Sequence, residues 1–376
     1  MDEKETIKEF SYVGIGRIAT IVLQALFYLI LAALIEPEFF GELNVIIALA
    51  GTFSIISLFG LNLSLQVYHA KNNSQISEGI ITLFIITTTA ASLILLVINQ
   101  IAALLCVSLS FFMMTQSHLM GLKQYKKFMI FSILKSGIFF AVPLILYFPF
   151  GIYGIIFGMA LSNFIGSLPF YKYLKVRTLC GLRDYSKVLI HNFGVTSGVF
   201  LPNMIDKLMI VSLFGFFIVG VYQFNLQILI ALSVLPGILG QYLISEESSG
   251  KGHRKLSLLV VLASVILAII SIGLAPSLVP IFYSKYVDGI ESLQIMVLAI
   301  IPNAIGTIYY SKLLAKESTK IGYSAIVQIG SLLLLIALLG DIYGLVGLAI
   351  AVVISQITNT LFLFFLYRIS IVQKIK

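Results

Sequence analysis

Four ionisable side chains stand where an apolar chain should not hold them: Arg17, Lys135, Asp206 and Lys207. Each lies inside a run long and oily enough to cross a bilayer. On insertion scales a charge at the centre of a spanning helix costs roughly 2.5–3.5 kcal/mol. Such residues persist where they face a wet cavity or a partner. Their chemistry is that of recognition, since cations positioned in a dry seam bind anions and a carboxylate there takes up a proton or a cation.

Neighbouring polar residues extend each charge into a stripe. On the first apolar run Arg17, Thr20, Gln24 and Tyr28 recur at steps of three, four and four, one face of a helix. On the seventh run Asn192, Thr196, Asn203 and Asp206 follow the same period, with Val199 interrupting. On the fifth, Ser132, Lys135 and Ser136 share a face. Arg17 and Lys135 sit about seven residues from one end of their runs, roughly 10 Å deep at 1.5 Å per residue. Asp206 and Lys207 lie nearer the opposite end of theirs. Being adjacent, Asp206 and Lys207 project about 100° apart and make a poor pair. Asp206 is therefore free to meet Arg17 instead. Lys135 and Lys207 have the alternative of extending their ammonium groups to an interface.

The elements that must position these residues are helices. The chain of 376 residues is 59% hydrophobic and 11% charged, with a mean hydropathy of +1.06. Soluble domains carry about 25% charged residues. The composition predicts an all-α, polytopic membrane protein and leaves no polar stretch for a soluble domain. Apolar runs of about 20 residues predict twelve helices: 10–35, 41–67, 78–98, 100–119, 127–148, 151–172, 188–214, 217–243, 256–282, 289–312, 320–339 and 343–368. The first run is too long for the apolar core of a signal peptide, so it is expected to be retained.

Twenty of the 24 lysines and arginines fall in the terminal segments and alternate connections on one side. Lys285 alone falls on the other. The positive-inside rule then places both termini in the cytoplasm of a cell-membrane protein. The net charge of +8 reflects this sidedness, and no nucleic-acid partner is expected. Two cysteines and four scattered histidines offer no disulfide framework or metal-ligand spacing.

The most basic inner loop, near residues 173–187, divides the chain into six helices and six. The predicted domains are an N-terminal lobe, 1–180, and a C-terminal lobe, 181–376. Short strings repeat between them. Ile152-Tyr153-Gly154 matches Ile342-Tyr343-Gly344, and Phe40-Gly41 matches Val219-Gly220, at offsets of 190 and 179. Two six-helix lobes inserted the same way up are related by a pseudo-twofold along the membrane normal. The stripes of the first and seventh helices are expected to face each other across a central cavity. Pro202, Pro236 and Pro302 mark expected kinks.

No catalytic constellation is present: there is no paired aspartate motif, HExxH, nucleophile elbow or phosphate-binding loop. Three stretches carry a resemblance. They are Phe10 to Leu43, with its Arg17 and its Pro-Glu-Phe-Phe-Gly turn; Gly121-Leu-Lys-Gln-Tyr-Lys-Lys127; and Asp206-Lys207 through Gly215 to Val219-Gly220-Val221-Tyr222. In these the chain resembles the polysaccharide exporters, or O-antigen-type flippases, of the multidrug/oligosaccharidyl-lipid/polysaccharide exporter superfamily. The resemblance implies a flippase moving an isoprenoid-diphosphate-linked oligosaccharide to the outer leaflet by alternating access, for surface polysaccharide synthesis. It implies no cofactor. Asp206 is the candidate residue for taking up H⁺ or Na⁺ to reset the cycle. The expected partners are the lipid-linked glycan, membrane lipids and glycan polymerase or glycosyltransferase machinery, around a monomer. Arg17, Gln24, Lys135, Asn203, Asp206 and Lys207 are the candidate cavity residues. The alternatives are a multidrug exporter of the same superfamily and a non-transporting partner of a glycan-assembly complex. A drug exporter favours cavity carboxylates, whereas three of the four buried charges here are cations.

Overall fold

The computed structural model describes residues 3–175, 186–248, 254–315 and 321–375, and these are helical almost throughout. The helices are α1 (Glu3–Leu34), α2 (Pro37–Leu58), α3 (Leu61–Ala70), α4 (Ser74–Ile98), α5 (Gln100–Gly121), α6 (Tyr125–Gly166), α7 (Leu168–Tyr171), α8 (Ser186–Phe200), α9 (Pro202–Ser248), α10 (Arg254–Phe282), α11 (Ile290–Met296), α12 (Ile300–Ala315) and α13 (Gly322–Ile375). Among the described residues, nine helical stretches are long and apolar enough to cross a membrane.

Three of these stretches are hairpins that turn on one glycine each. Gly151 (φ 59°, ψ −140°) reverses α6, Gly215 (φ 81°, ψ 178°) reverses α9, and Gly344 (φ 54°, ψ −131°) reverses α13. Positive φ is open to glycine without a steric penalty. The arms fold back about each turn. Gly158 packs on Pro143 and Gly154 on the carbonyl of Leu146; Gly340 meets Leu348, and Gly347 the carbonyl of Leu339. Counting both arms of each hairpin, with α8 and the first arm of α9 taken as one crossing, gives twelve crossings among the described residues, the number expected from the hydropathy.

The repeat is present with one change of register. Gly151 and Gly344 share a conformation, and Gly154 and Gly347 share a contact, so the equivalence runs at 193 residues. The Ile-Tyr-Gly strings, aligned at 190, are three residues out of step. The second offset holds. A Cβ on Gly41 would collide with the carbonyl of Phe216, and one on Gly220 with the carbonyl of Pro37. Both 37/216 and 41/220 differ by 179, so the contact is reciprocal, as a twofold relation requires.

Contacts divide the chain into two compact units. Unit 1 is Met1–Tyr28 with Val45–Ile205, and unit 2 is Leu29–Asn44 with Asp206–Lys376. The boundaries depart from the covalent halves because two segments are seated by glycines. In unit 1 the chain breaks at Phe59 and Gly60, both at positive φ. The missing side chain of Gly60 lets α8 lie against this break at Asn192 and Phe193. In unit 2 the Gly41–Gly220 approach holds the start of α2 on α9.

Unit 1 has an apolar core at one end, including Leu58, Leu65, Tyr68, Phe84, Met114 and Phe170. Buried hydroxyls and amides tie its helices: Ser54 lies 2.8 Å from Ser110, and Asn192 Nδ2 donates to Ser64 Oγ at 2.8 Å. Unit 2 uses the same device. Asn225 donates to Ser292 at 2.7 Å, and Thr360 donates to the carbonyl of Pro302 at 2.6 Å. In lipid, helix association leans on such bonds and on small residues, since oil supplies no hydrophobic drive. Along α10, Leu258, Leu262, Ile266, Ile269 and Ile281 are exposed, a face suited to acyl chains.

Candidate functional site

The two units each hold a buried charged centre. In unit 1 it is Lys135 on the first arm of α6, 3% exposed. Its ammonium lies 4.3 Å from the ring centroid of Phe139 and 5.1 Å from that of Phe112. Among the described residues it makes no ion pair. The room for it comes from Gly166, where a Cβ would press on both Phe112 and the Cβ of Lys135 at 2.9 and 3.0 Å. A cation over two aromatic faces in a dry site is attracted by each ring quadrupole, about 2 kcal/mol for a desolvated contact.

This centre is coupled to α1. Ser136 donates its hydroxyl to Thr20 Oγ1 at 2.9 Å, and Thr20 donates onward to the carbonyl of Gly16 at 2.9 Å. Phe139 packs edge-on to Phe27 at 5.0 Å. A Cβ on Gly16 would lie only 3.1 Å from Met129 Cα, so the two helices are close. On α1 the exposed apolar residues Ile15, Ile18, Val22, Leu26 and Ile30 form one stripe. At 100° per residue the line Arg17, Thr20, Gln24, Tyr28 is centred about 180° away. Arg17 is exposed on that polar face and Gln24 is half-buried. The sequence stripe is therefore a real face of α1, opposite the apolar one and continuous with α6 at Thr20.

In unit 2 the centre is Asp206, 2% exposed, with Lys207, 5% exposed. Lys207 Nζ donates to Asp206 Oδ1 at 3.2 Å, and the Lys207 amide donates to the same oxygen at 2.8 Å. Tyr222 donates its phenol to Asp206 Oδ2 at 3.0 Å. The expectation that adjacent residues pair poorly is corrected here. Cβ directions 100° apart fix only the roots of the side chains, and the four-carbon lysine stem folds back to reach the carboxylate.

Of the other expected residues, Asn203 is exposed, on the first turn of α9 after the Leu201–Pro202 break. That break ends the stripe begun by Asn192 and Thr196 on α8. Pro202 and Pro302 each lie in the first turn of a helix, where proline is tolerated. The structure thus brings Lys135 together with the polar line of α1, and Asp206 together with Lys207. The first group and Asn203 belong to unit 1, and the second group to unit 2.

Two features escaped the sequence reading. Tyr222 stands in a motif noted there but without a role; reversal at Gly215 brings it opposite Asp206, since 206 and 222 flank the turn almost equally. His69 and His118, far apart in the sequence, meet in the structure, where His69 Nε2 lies 2.9 Å from His118 Nδ1. Both close the same end of their helices, and that shared level was the available signal. Burial lowers the affinity of His69 for a proton. No group of three metal-ligating side chains occurs among the described residues.

No protein-family model and no curated protein matches the sequence. Solved structures do. The lipid II flippase MurJ in an inward closed conformation superposes with a TM-score of 0.78 at 15% identity, over 95% of this chain and 87% of that one. An outward-facing multidrug-resistance MATE transporter of the MOP superfamily gives 0.58 at 16%, over 97% and 96%. A MOP transporter from Pyrococcus furiosus, described as having a binding pocket of reversed polarity, gives 0.57 at 15%, over 98% and 96%. The chain has the fold of MOP-superfamily transporters, two lobes of membrane helices, and is a multi-pass membrane protein.

Proposed function

We propose that the chain is a flippase that carries an isoprenoid-diphosphate-linked oligosaccharide from the cytoplasmic to the outer leaflet. The observation that carries this reading is the charge of unit 1: a buried lysine that makes no ion pair among the described residues, joined through Ser136 and Thr20 to the polar face that bears Arg17. A diphosphate leaving the headgroup layer must lose water, and cations already held in a dry site offset that loss. Arg17 supplies a planar fork for two phosphate oxygens. Gln24 and Asn203 add polar contacts along the way. The higher superposition on a lipid II flippase than on MATE transporters supports the same substrate class.

In this reading the two lobes, residues 1–180 and 181–376 apart from the segments they exchange, alternate in opening the cavity to each side. Asp206, held by Lys207 and Tyr222, takes up H⁺ or Na⁺ and resets the cycle. Both termini are cytoplasmic in the cell membrane. The transporter acts as a monomer and hands its product to glycan polymerase or glycosyltransferase machinery.

The test is transport of a fluorescent isoprenoid-diphosphate sugar by the purified chain in liposomes. Arg17→Ala is expected to abolish transport while leaving insertion and melting unchanged. Transport by Arg17→Ala at the native rate would remove Arg17 from the path. Asp206→Asn is expected to lose dependence on an ion gradient. Retention of that dependence in Asp206→Asn would overturn coupling through the carboxylate.

A further inference from the structure

At the lysine-rich end of unit 1 three connections converge, each pinned by its own backbone hydrogen bonds. Between α3 and α4, Asn72 donates to the carbonyl of His69 at 3.0 Å and Asn73 to that of Tyr68 at 3.0 Å. Between α5 and α6, Leu122 donates to His118 at 3.0 Å and Gln124 to Leu119 at 2.9 Å. After α7, Tyr173 donates to Phe170 at 2.9 Å. These turns stand on the apolar core of unit 1, through Tyr68 and Phe170. Between them lies an open cavity of about 590 Å³, lined by His69, Asn72, Ser74, Lys172, Tyr173 and Lys175 among others. A smaller hollow of about 330 Å³ adjoins it across Lys172 and Tyr173, with His118, Gln124 and Lys127 in its wall. The His69–His118 pair runs between the two.

Several features set this cavity apart from a solvated lysine patch. Its walls are fixed backbone turns, so it is formed before any ligand arrives. Its charged groups are two ammonium ions, Lys172 and Lys175, against one acid, Glu78, and the Ser74 hydroxyl and the Asn72 amide stand beside them. Among the described residues neither Lys172 nor Lys175 makes an ion pair. The Lys172 ammonium instead lies 5.1 Å from the Tyr173 ring centroid.

We propose that this cavity is a binding site for a phosphate group, with Lys172 and Lys175 as its charged contacts. A carboxylate offers two oxygens, whereas a phosphate offers three or four. It can engage both ammonium groups and still accept from the Ser74 hydroxyl or the Asn72 amide. The volume leaves room for the group that carries the phosphate. Two sources share this chemistry, the headgroup of an acidic lipid and free inorganic phosphate. The site is separate from Lys135 and does not depend on the transported substrate.

The chain contains no tryptophan, so Tyr173→Trp places a single fluorescent reporter on the rim of the cavity. The detergent-purified full chain is titrated with dihexanoyl phosphatidic acid, dihexanoyl phosphatidylcholine and inorganic phosphate. Melting of the unsubstituted chain is followed in parallel. Phosphatidic acid is expected to give a saturable change and a raised melting temperature. Its midpoint should weaken at least tenfold in Lys172→Gln/Lys175→Gln and stay put in Lys285→Gln. Competition by inorganic phosphate identifies the free ion as sufficient, and response to phosphatidic acid alone identifies a lipid headgroup. The proposal is overturned by no saturable response in either readout, by an unchanged midpoint in the double variant, or by an equal response to phosphatidylcholine.

Discussion

Lys135 and Lys207 are buried to nearly the same degree, 3% and 5% exposed, and their surroundings differ in kind. Lys207 is neutralised within its own helix by Asp206, which also accepts from Tyr222. Lys135 has two aromatic faces and, among the described residues, no ion-pair partner. The first arrangement satisfies its charge internally, so unit 2 presents a nearly neutral centre. The second leaves a net positive charge in a dry place, at the expense of stability. On the proposed function, unit 1 is the part of the chain that would meet a phosphorylated head.

The contrast predicts opposite signs for one substitution. Lys207→Met strands a buried carboxylate and should destabilise by about 3–5 kcal/mol, seen as a fall in melting temperature. Tyr222→Phe removes one hydrogen bond to that carboxylate and should cost about 1.5–3 kcal/mol. Lys135→Met keeps the shape and removes an uncompensated charge. Its desolvation penalty of several kcal/mol exceeds the ring attraction, so stability should rise, on the order of 1–2 kcal/mol. A fall on Lys135→Met comparable to that of Lys207→Met would erase the distinction between the centres. The smallest effect is expected at Lys285–Glu36, an ion pair of 3.0 Å whose side chains are 34% and 56% exposed. Lys285→Gln should change stability by under about 1 kcal/mol, showing that burial, more than pairing, sets the scale.

Much of the architecture was legible because its signals are local. Hydropathy located twelve crossings. The Gly41/Gly220 offset was correct because a close backbone approach admits only glycine at both places. The Ile-Tyr-Gly alignment slipped by three because the turn selects the glycine at positive φ, whereas the string was matched on its side chains. The break at Phe59 was silent, since phenylalanine gives no sign that it will adopt a φ of 43°. At the site, the stripe on α1 followed from periodicity, and Lys135 from its isolation in an apolar run. The Asp206–Lys207 pair was misjudged because spacing describes Cβ directions and lysine reaches beyond them. The aromatic contacts of Lys135 come from separate helices, Phe112 on α5 and Phe139 on α6, and helical spacing could give only the second. The His69–His118 contact joins α3 to α5 and had no signature within either.

The most direct test of the central claim is to measure flipping and melting together for Lys135→Met in liposomes loaded with a fluorescent isoprenoid-diphosphate sugar. The account predicts a protein at least as stable as the original whose flipping rate falls 100-fold or more. Native flipping by that variant would contradict it.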